Sequence, residues 1–396
     1  MSGFVAEAIY TGLGGARAGG LWRHQPTGLE LRLLAIDSVP QAFIHVHAPP
    51  VGDGGESHAG EHLLLGKGAR GKALAAEEEL ALVESTAFTA QTEVCYAFNC
   101  AAGQETFFRI LAGFLEALLF PDYTDEEVRR EVCHLAAVRD PGTGRLALEE
   151  QGTVYTEMVA TCEKRWIVFH ELHRRLFGAA HPLGFVAGGT PEGIRRVTPA
   201  DLHRFHAAHY HLAGMGLILA LPPALPEADT LRRLDELLGA LAARPAHQER
   251  PRERRALPPL APEPPGTWRV PYPNQNERDT GTLVMAWAAR PPGDLREHLR
   301  RRLLLEPFAD GETSWLHRAW LDRKSRKREV PASRVYGGLD LTPLSEGAQV
   351  GLIGLGPEGA AEGALAGLRA AVREELEELL GLPAADPRRA TFQGRA

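Results

Sequence analysis

His58-Ala59-Gly60-Glu61-His62 sets two imidazoles and a carboxylate close together in the chain. The apolar patch Leu63, Leu64 and Leu65 that follows predicts a helix starting at Ser57. On a helix, positions i and i+4 lie on one face about a turn apart. His58 and His62 can therefore reach one metal ion, with Glu61 beside them. Neutral imidazoles and a carboxylate suit Zn²⁺ in a three-ligand site that keeps its fourth position open. A metal held in this way lowers the pKa of a bound water to about 7, and Glu61 can accept the proton. A solvated helix that happens to carry two His and a Glu would read the same, so the pentapeptide needs a third ligand.

Two carboxylates further along are candidates. Glu157 lies in Val154-Tyr155-Thr156-Glu157-Met158, and Glu150 precedes it on a helix expected from Leu146 to Cys162. Their spacing is two helical turns, which places both on one face. One would bind the metal and the other would steady the site from behind. The spacing alone does not say which, and it is also that of an ordinary solvated face.

The elements that must position these groups follow from periodicity. Residues 29–36 and 42–47 alternate, with Asp37-Ser38-Val39-Pro40 between them, and predict an antiparallel pair. Pro49 to Gly55 then breaks regular structure ahead of the His/Glu/His helix. Phe107 to Leu119 is amphipathic, and Thr124-Asp125-Glu126-Glu127 is a capping-box start for a helix running towards Arg139. A further helix follows the Thr198 cap, and residues 217–220 read as a short buried strand. Between residues 222 and 273 proline is dense, which predicts a semi-rigid linker interrupted by one helix, Thr230 to Ala243. Beyond it come a strand at 281–287, a helix at 295–305, strands at 339–341 and 349–355, and a long helix from Ala360 to Leu380. The expected division is an α+β domain over 1–221 carrying the site, the linker over 222–273, and a second α+β domain over 274–396.

Composition narrows the function classes. The chain has 396 residues, a formal net charge of −7, 44% hydrophobic and 24% charged residues. That is globular and too long for one core. Mild acidity argues against nucleic acid as a partner, and no apolar run is long enough to span a membrane. The N-terminal residues lack the pattern of a signal peptide. Cys95, Cys100, Cys133 and Cys162 have no metal-type spacing and read as reduced thiols of a cytoplasmic protein. His203, His206, His209 and His211 form a possible second metal cluster, although such histidines more often cap or pack. The basic run Arg323 to Arg328 reads as a solvated loop.

Several stretches together resemble the N-terminal half of a pitrilysin/insulinase-type inverzincin metallopeptidase, nearest the presequence-protease branch. They are His24 to Gly28, Gly55 to Gly66, Ala87-Phe88-Thr89 with Tyr96, Phe120-Pro121, Val154 to Met158, Phe205 to His211 and Gly311 to Leu316. The resemblance implies two similar domains, each a mainly antiparallel sheet with helices packed on it, forming half of a clamshell. It implies Zn²⁺ on His58, His62 and Glu157, with Glu61 as the base and Glu150 in support. An edge strand through Thr86, Ala87, Phe88 and Thr89 would pair with a peptide substrate. Thr86 stands where the resembled proteins carry Asn, and its shorter hydroxyl has a different reach. The implied activity is zinc-dependent endopeptidase cleavage, with a second half supplied by a partner chain or by self-association. The alternative is a non-catalytic scaffold or binding subunit that retains the zinc site; the intact Glu61 argues against it.

Overall fold

The computed structural model describes residues 3–162, 164–271, 280–287, 293–342, 344–356, 359 and 361–395. Its strands are β1 (Phe4–Thr11), β2 (Arg17–His24), β3 (Glu30–Ala35), β4 (Gln41–His47), β5 (Val83–Thr89), β6 (Glu93–Cys100), β7 (His134–Arg139), β8 (Leu146–Gln151), β9 (Met215–Leu221), β10 (Gly281–Ala286), β11 (Arg334–Leu341) and β12 (Glu346–Leu355). The helices are α1 (Glu56–Gly66), α2 (Gly68–Leu80), α3 (Gln104–Leu119), α4 (Asp125–Val132), α5 (Thr153–Thr161), α6 (Lys164–Phe177), α7 (Pro191–Ile194), α8 (Pro199–His209), α9 (Glu227–Ala242), α10 (Pro245–Gln248), α11 (Leu295–Ala309), α12 (Trp315–Trp320), α13 (Glu362–Gly381) and α14 (Pro387–Gln393).

One compact unit comprises Met1–Thr161 with Phe185–Leu257, the other Cys162–Gly184 with Pro258–Ala396. The first is built on a sheet of order β1-β2-β3-β9-β4-β6-β5. Only the β3/β9 pairing is parallel within it, so the sheet is mainly antiparallel, as the α+β expectation requires. Strand β6 is buried almost throughout rather than alternately, so both faces of the sheet are covered there. Helix α3 lays Phe107, Ile110, Leu111, Phe114, Leu115 and Leu118 into the core at helical spacing. Phe98 of β6 stacks on Phe114, ring centroids 4.9 Å apart. The second unit is smaller among the described residues. Its sheet, β10-β12-β11, is antiparallel throughout. Its core gathers Trp320, Phe308, Leu316, Val335, Leu352 and Val372.

Three local expectations are corrected. The strands at 30–35 and 41–47 do not pair with each other, because β9 lies between them. Residues 36–40 are long enough to cross two strand spacings, about 10 Å, so the connection tolerates an inserted strand. The helix begun at Thr124 has its capping box but ends at Val132, and residues 134–139 turn into β7. The helix expected over 146–162 is strand β8 followed by α5. Gly152 separates them at φ 133°, where an added Cβ would lie 2.6 Å from the Val132 carbonyl oxygen.

The proline-rich stretch also divides differently from the linker read in the sequence. Helix α9 buries Thr230, Leu234, Leu238 and Leu241 and belongs to the first unit. Asp235 on it accepts from the Gly3 amide and bonds His24 Nε2, both at 2.9 Å. Further on, His47 Nδ1 accepts from Arg254 at 2.7 Å, and His47 Nε2 donates to the Arg255 carbonyl at 3.0 Å. From Pro258 to Pro271 there is no helix or strand; the expected boundary at 273/274 and the helix start at Ala360 lie outside the described residues.

The histidine cluster of the first unit is structural. His206 Nε2 donates to the Leu118 carbonyl at 2.7 Å and its ring stacks on Tyr210, while His211 caps the turn at Gly214. Burial, ahead of neighbouring charges, lowers His206 to about 3 and His47, His209 and His211 to about 4. These groups take up protons near pH 6.5 only when unfolded, so the stability they contribute is present above pH 6.5 and lost as pH falls towards 4. His45, pushed up to about 9 by its contacts with Cys95 and Glu93, acts in the opposite sense, gaining stability as pH falls from 7 to below 6.5, but it is one group against four. Denaturant midpoints of the wild type are therefore expected to fall between pH 7 and pH 5, each histidine contributing up to about 1.4 kcal/mol per pH unit. A flat midpoint over that range would refute this account.

Candidate metal centre

Helix α1 carries three of the expected groups, and its start is fixed by a close approach. Gly55 holds φ 73°, and a Cβ there would sit 2.5 Å from the Gly188 carbonyl oxygen. The residues around Gly188 grip the helix: Ser57 Oγ donates to the Ala187 carbonyl at 3.0 Å, and His58 Nδ1 meets the Gly188 carbonyl at 3.3 Å. Gly188 also packs against α5: a Cβ there would lie 2.8 Å from Met158 Sδ, so the Met158 side chain would have to shift. The same loop thus touches α1 and α5 and holds the two against each other. On α5, Val154, Tyr155 and Met158 face the core, and the Glu157 side chain is left half exposed.

Three donor atoms converge. His58 Nε2 and His62 Nε2 are 3.2 Å apart, and Glu157 Oε2 lies 3.6 Å from each. A tetrahedral ion with ligand bonds of about 2.0–2.1 Å sets its donors about 3.3 Å apart. The triangle therefore fits a zinc-sized cation, and among the described residues it is the one such group of His, Cys, Asp or Glu. The two imidazole rings meet edge to face at 82°, with centroids 4.8 Å apart.

The other ring nitrogens are engaged in a way that favours metal binding. His62 Nδ1 donates to Glu131 Oε1 at 3.1 Å, and Lys67 Nζ holds Glu131 Oε2 at 2.9 Å. With both Nδ1 atoms bonded to oxygen acceptors, the proton sits on Nδ1 and the Nε2 lone pairs are free. Burial would raise the Glu131 carboxyl, but hydrogen bonds from Lys67, His62 and Thr153 outweigh it and hold the group below the usual carboxylate range. Glu131 was not among the residues singled out from the sequence. Its signal was there: in α4 it shares the buried face with Val128 and Val132, and a carboxylate on an apolar stripe needs a partner.

Glu150 is placed elsewhere. It lies on β8, where Arg195 Nε and a second guanidinium nitrogen bind its two oxygens at 2.6 and 2.8 Å and the Tyr155 hydroxyl donates to it at 2.5 Å. The Arg195 hydrogen bond, then that of Tyr155, lowers its carboxyl to about 2. The structure therefore gives it to a surface ion pair and gives the neighbourhood of His62 to Glu131. Glu150 on β8 and Glu157 on α5 do not share a helix, so their seven-residue spacing does not put them on one face.

Glu61 projects between α1 and the edge strand, and its Oε2 accepts from Thr89 Oγ1 at 2.5 Å. Behind α1 the buried Tyr96 and Tyr210 hydroxyls bond each other at 2.9 Å, and burial pushes both phenols up. Strand β5 closes the sheet at one end, as the edge-strand expectation requires. Thr86 and Phe88 are exposed on it, Ala87 and Thr89 half buried.

Comparison with known proteins bears on the fold. The chain has the fold of M16 peptidase halves. A Pseudomonas fluorescens structure described as a peptidase M16 inactive domain superposes with a TM-score of 0.64 at 16% identity, covering 93% of this chain and 80% of that one. Pitrilysin superposes with a TM-score of 0.58 at 13% identity, over 97% of this chain and 39% of its own. In sequence, the mitochondrial presequence protease of Eremothecium gossypii is 27% identical over 250 residues, 62% of this chain and 24% of that protein. An uncharacterised protein of Saccharomyces cerevisiae is 26% identical over 293 residues, 71% of this chain and 27% of that protein. The chain thus matches about a quarter of the length of these curated relatives. No family model matches it.

Proposed function

We propose that this chain is the metal-binding half of a zinc endopeptidase acting on peptides. The observation that carries the reading is the convergence of His58, His62 and Glu157 at zinc-compatible spacing, with Glu61 on the next position of the same helix. Zinc, when bound, polarises a peptide carbonyl and makes water a nucleophile near neutral pH. The chain's own residues do the rest. Glu61 takes the proton of the attacking water and returns it to the leaving amine. The free edge of β5 holds an extended peptide by main-chain hydrogen bonds. Superposition on about two fifths of pitrilysin supports a second half, from a partner chain or a second copy, that completes the enclosure.

Among the described residues no helix is long and apolar enough to cross a membrane. Cys95, Cys100 and Cys133 are thiols, which supports a reducing compartment such as the cytoplasm. The description of one structural neighbour as an inactive domain keeps a second reading in play, a scaffold that retains the metal. The deciding experiment measures zinc content, native mass and cleavage of an internally quenched peptide on one preparation. The hydrolase reading expects about one zinc per chain and cleavage that a chelator abolishes and zinc restores. Zinc without cleavage in any assembly state would favour the scaffold, and no zinc would sink both.

A further inference from the structure

The sheet register settles which way each residue of β5 turns its backbone. The Ala90 amide donates to the Glu93 carbonyl at 2.8 Å, and the register continues as Thr89↔Val94, Phe88↔Cys95, Ala87↔Tyr96 and Thr86↔Ala97. Hydrogen-bonded and non-bonded pairs alternate along an antiparallel ladder. Thr86 and Phe88 therefore bond β6, whereas Ser85, Ala87 and Thr89 direct their amides and carbonyls to the free edge. Side chains alternate on the same period, and those of Ala87 and Thr89 lie on the more buried side of the strand. Thr89 is thus the residue at which a backbone facing the free edge and a side chain facing Glu61 coincide. Its hydroxyl donates to Glu61 Oε2 and leaves Oε1 without a hydrogen-bond partner among the described residues.

We propose that Thr89 is a positioning residue: it orients Glu61 and ties that carboxylate to the strand edge on which a peptide is held. This rests on the reading of Glu61 as the proton acceptor. A Glu side chain has three rotatable bonds, and a single donated hydrogen bond from a stiff neighbour removes most of that freedom. Threonine is stiff because its Cβ is branched, and the ladder with β6 fixes its backbone. A peptide that pairs with the Thr89 amide and carbonyl bonds the same residue that aims the base. Binding of an extended backbone and correct placement of the proton acceptor are then one structural event.

The test compares Thr89→Val with Thr89→Ser in the zinc-loaded protein. Valine keeps the shape and strand preference of threonine and removes only the hydroxyl, so folding is preserved. For Thr89→Val, kcat is expected to fall about 10- to 100-fold, the scale of a roughly 1 Å misplacement. KM and zinc affinity should stay within about twofold, and Thr89→Ser should recover most of the rate. A Thr89→Val protein with wild-type kcat overturns the proposal, as does a loss confined to KM or not rescued by serine. A crystal structure of zinc-loaded Thr89→Val tests the same point without activity: Glu61 should leave its wild-type rotamer. An unmoved Glu61 refutes the role of Thr89. Absence of cleavage by the wild type refutes the hydrolase reading and leaves the crystallographic result to decide Thr89.

Discussion

Glu61→Gln is expected to lower kcat for a quenched peptide by about 10²- to 10⁴-fold, the range a positioned general base contributes, or about 2.7 to 5.4 kcal/mol of barrier. The substitution is close to isosteric. Its amide oxygen can still accept from Thr89 Oγ1, which now bonds Glu61 Oε2, so the side chain stays in place and loses only its capacity to take a proton. Glu61 is outside the donor triangle of His58, His62 and Glu157, so zinc content should be unchanged. That pairing of outcomes is what gives the variant its power. A scaffold has no rate to lose, and both proteins would then be equally inert. A fall in activity that tracks a fall in zinc would instead show that Glu61 acts through the metal, and the base assignment would fail.

What the sequence conveyed about this site depends on how local each relation is. The i, i+4 spacing of His58 and His62 is a property of one helix, and the helix formed where its apolar residues required. The caps at Thr124 and Thr198 are equally local, and both appear with their reciprocal hydrogen bonds. Spacing named Glu157 and Glu150 together, the resemblance chose Glu157, and the fold brings it to the histidines. The position of β9 between β3 and β4 could not be read from alternation, because the inserted strand comes from far along the chain. Residues 146–151 illustrate a propensity overruled. Leu, Ala and Glu favour helix, yet the segment pairs with β7 along its whole length. Gly152, required by its φ and by the Val132 carbonyl, was the one local sign that the helix had to start later. Once β8 is a strand, Glu150 leaves the helix of Glu157, and the carboxylate that meets His62 Nδ1 is that of Glu131.

Zinc affinity should therefore rank the carboxylates and histidines in a definite order. His62→Ala removes one of the three donors and is expected to weaken zinc by on the order of 10³-fold or more, since among the described residues no other His, Cys, Asp or Glu joins that group. Glu131→Ala keeps all three donors but removes the acceptor at His62 Nδ1. The ring is then free to rotate or to move its proton onto the metal-facing nitrogen, and a loss of about 10- to 100-fold follows. Glu131→Gln, which retains an acceptor oxygen for Nδ1–H, should lose less and separates ring orientation from charge. Glu150→Ala should leave affinity within about threefold, because its charge is already matched by Arg195 at the surface. Competition against a chromophoric chelator at fixed pH measures all four variants on one scale. If Glu150→Ala weakens zinc as much as Glu131→Ala, the supporting role implied by the family resemblance returns to Glu150. If Glu131→Ala binds zinc like the wild type, the contact between Glu131 and His62 is packing, and the histidine is oriented by helix α1 alone.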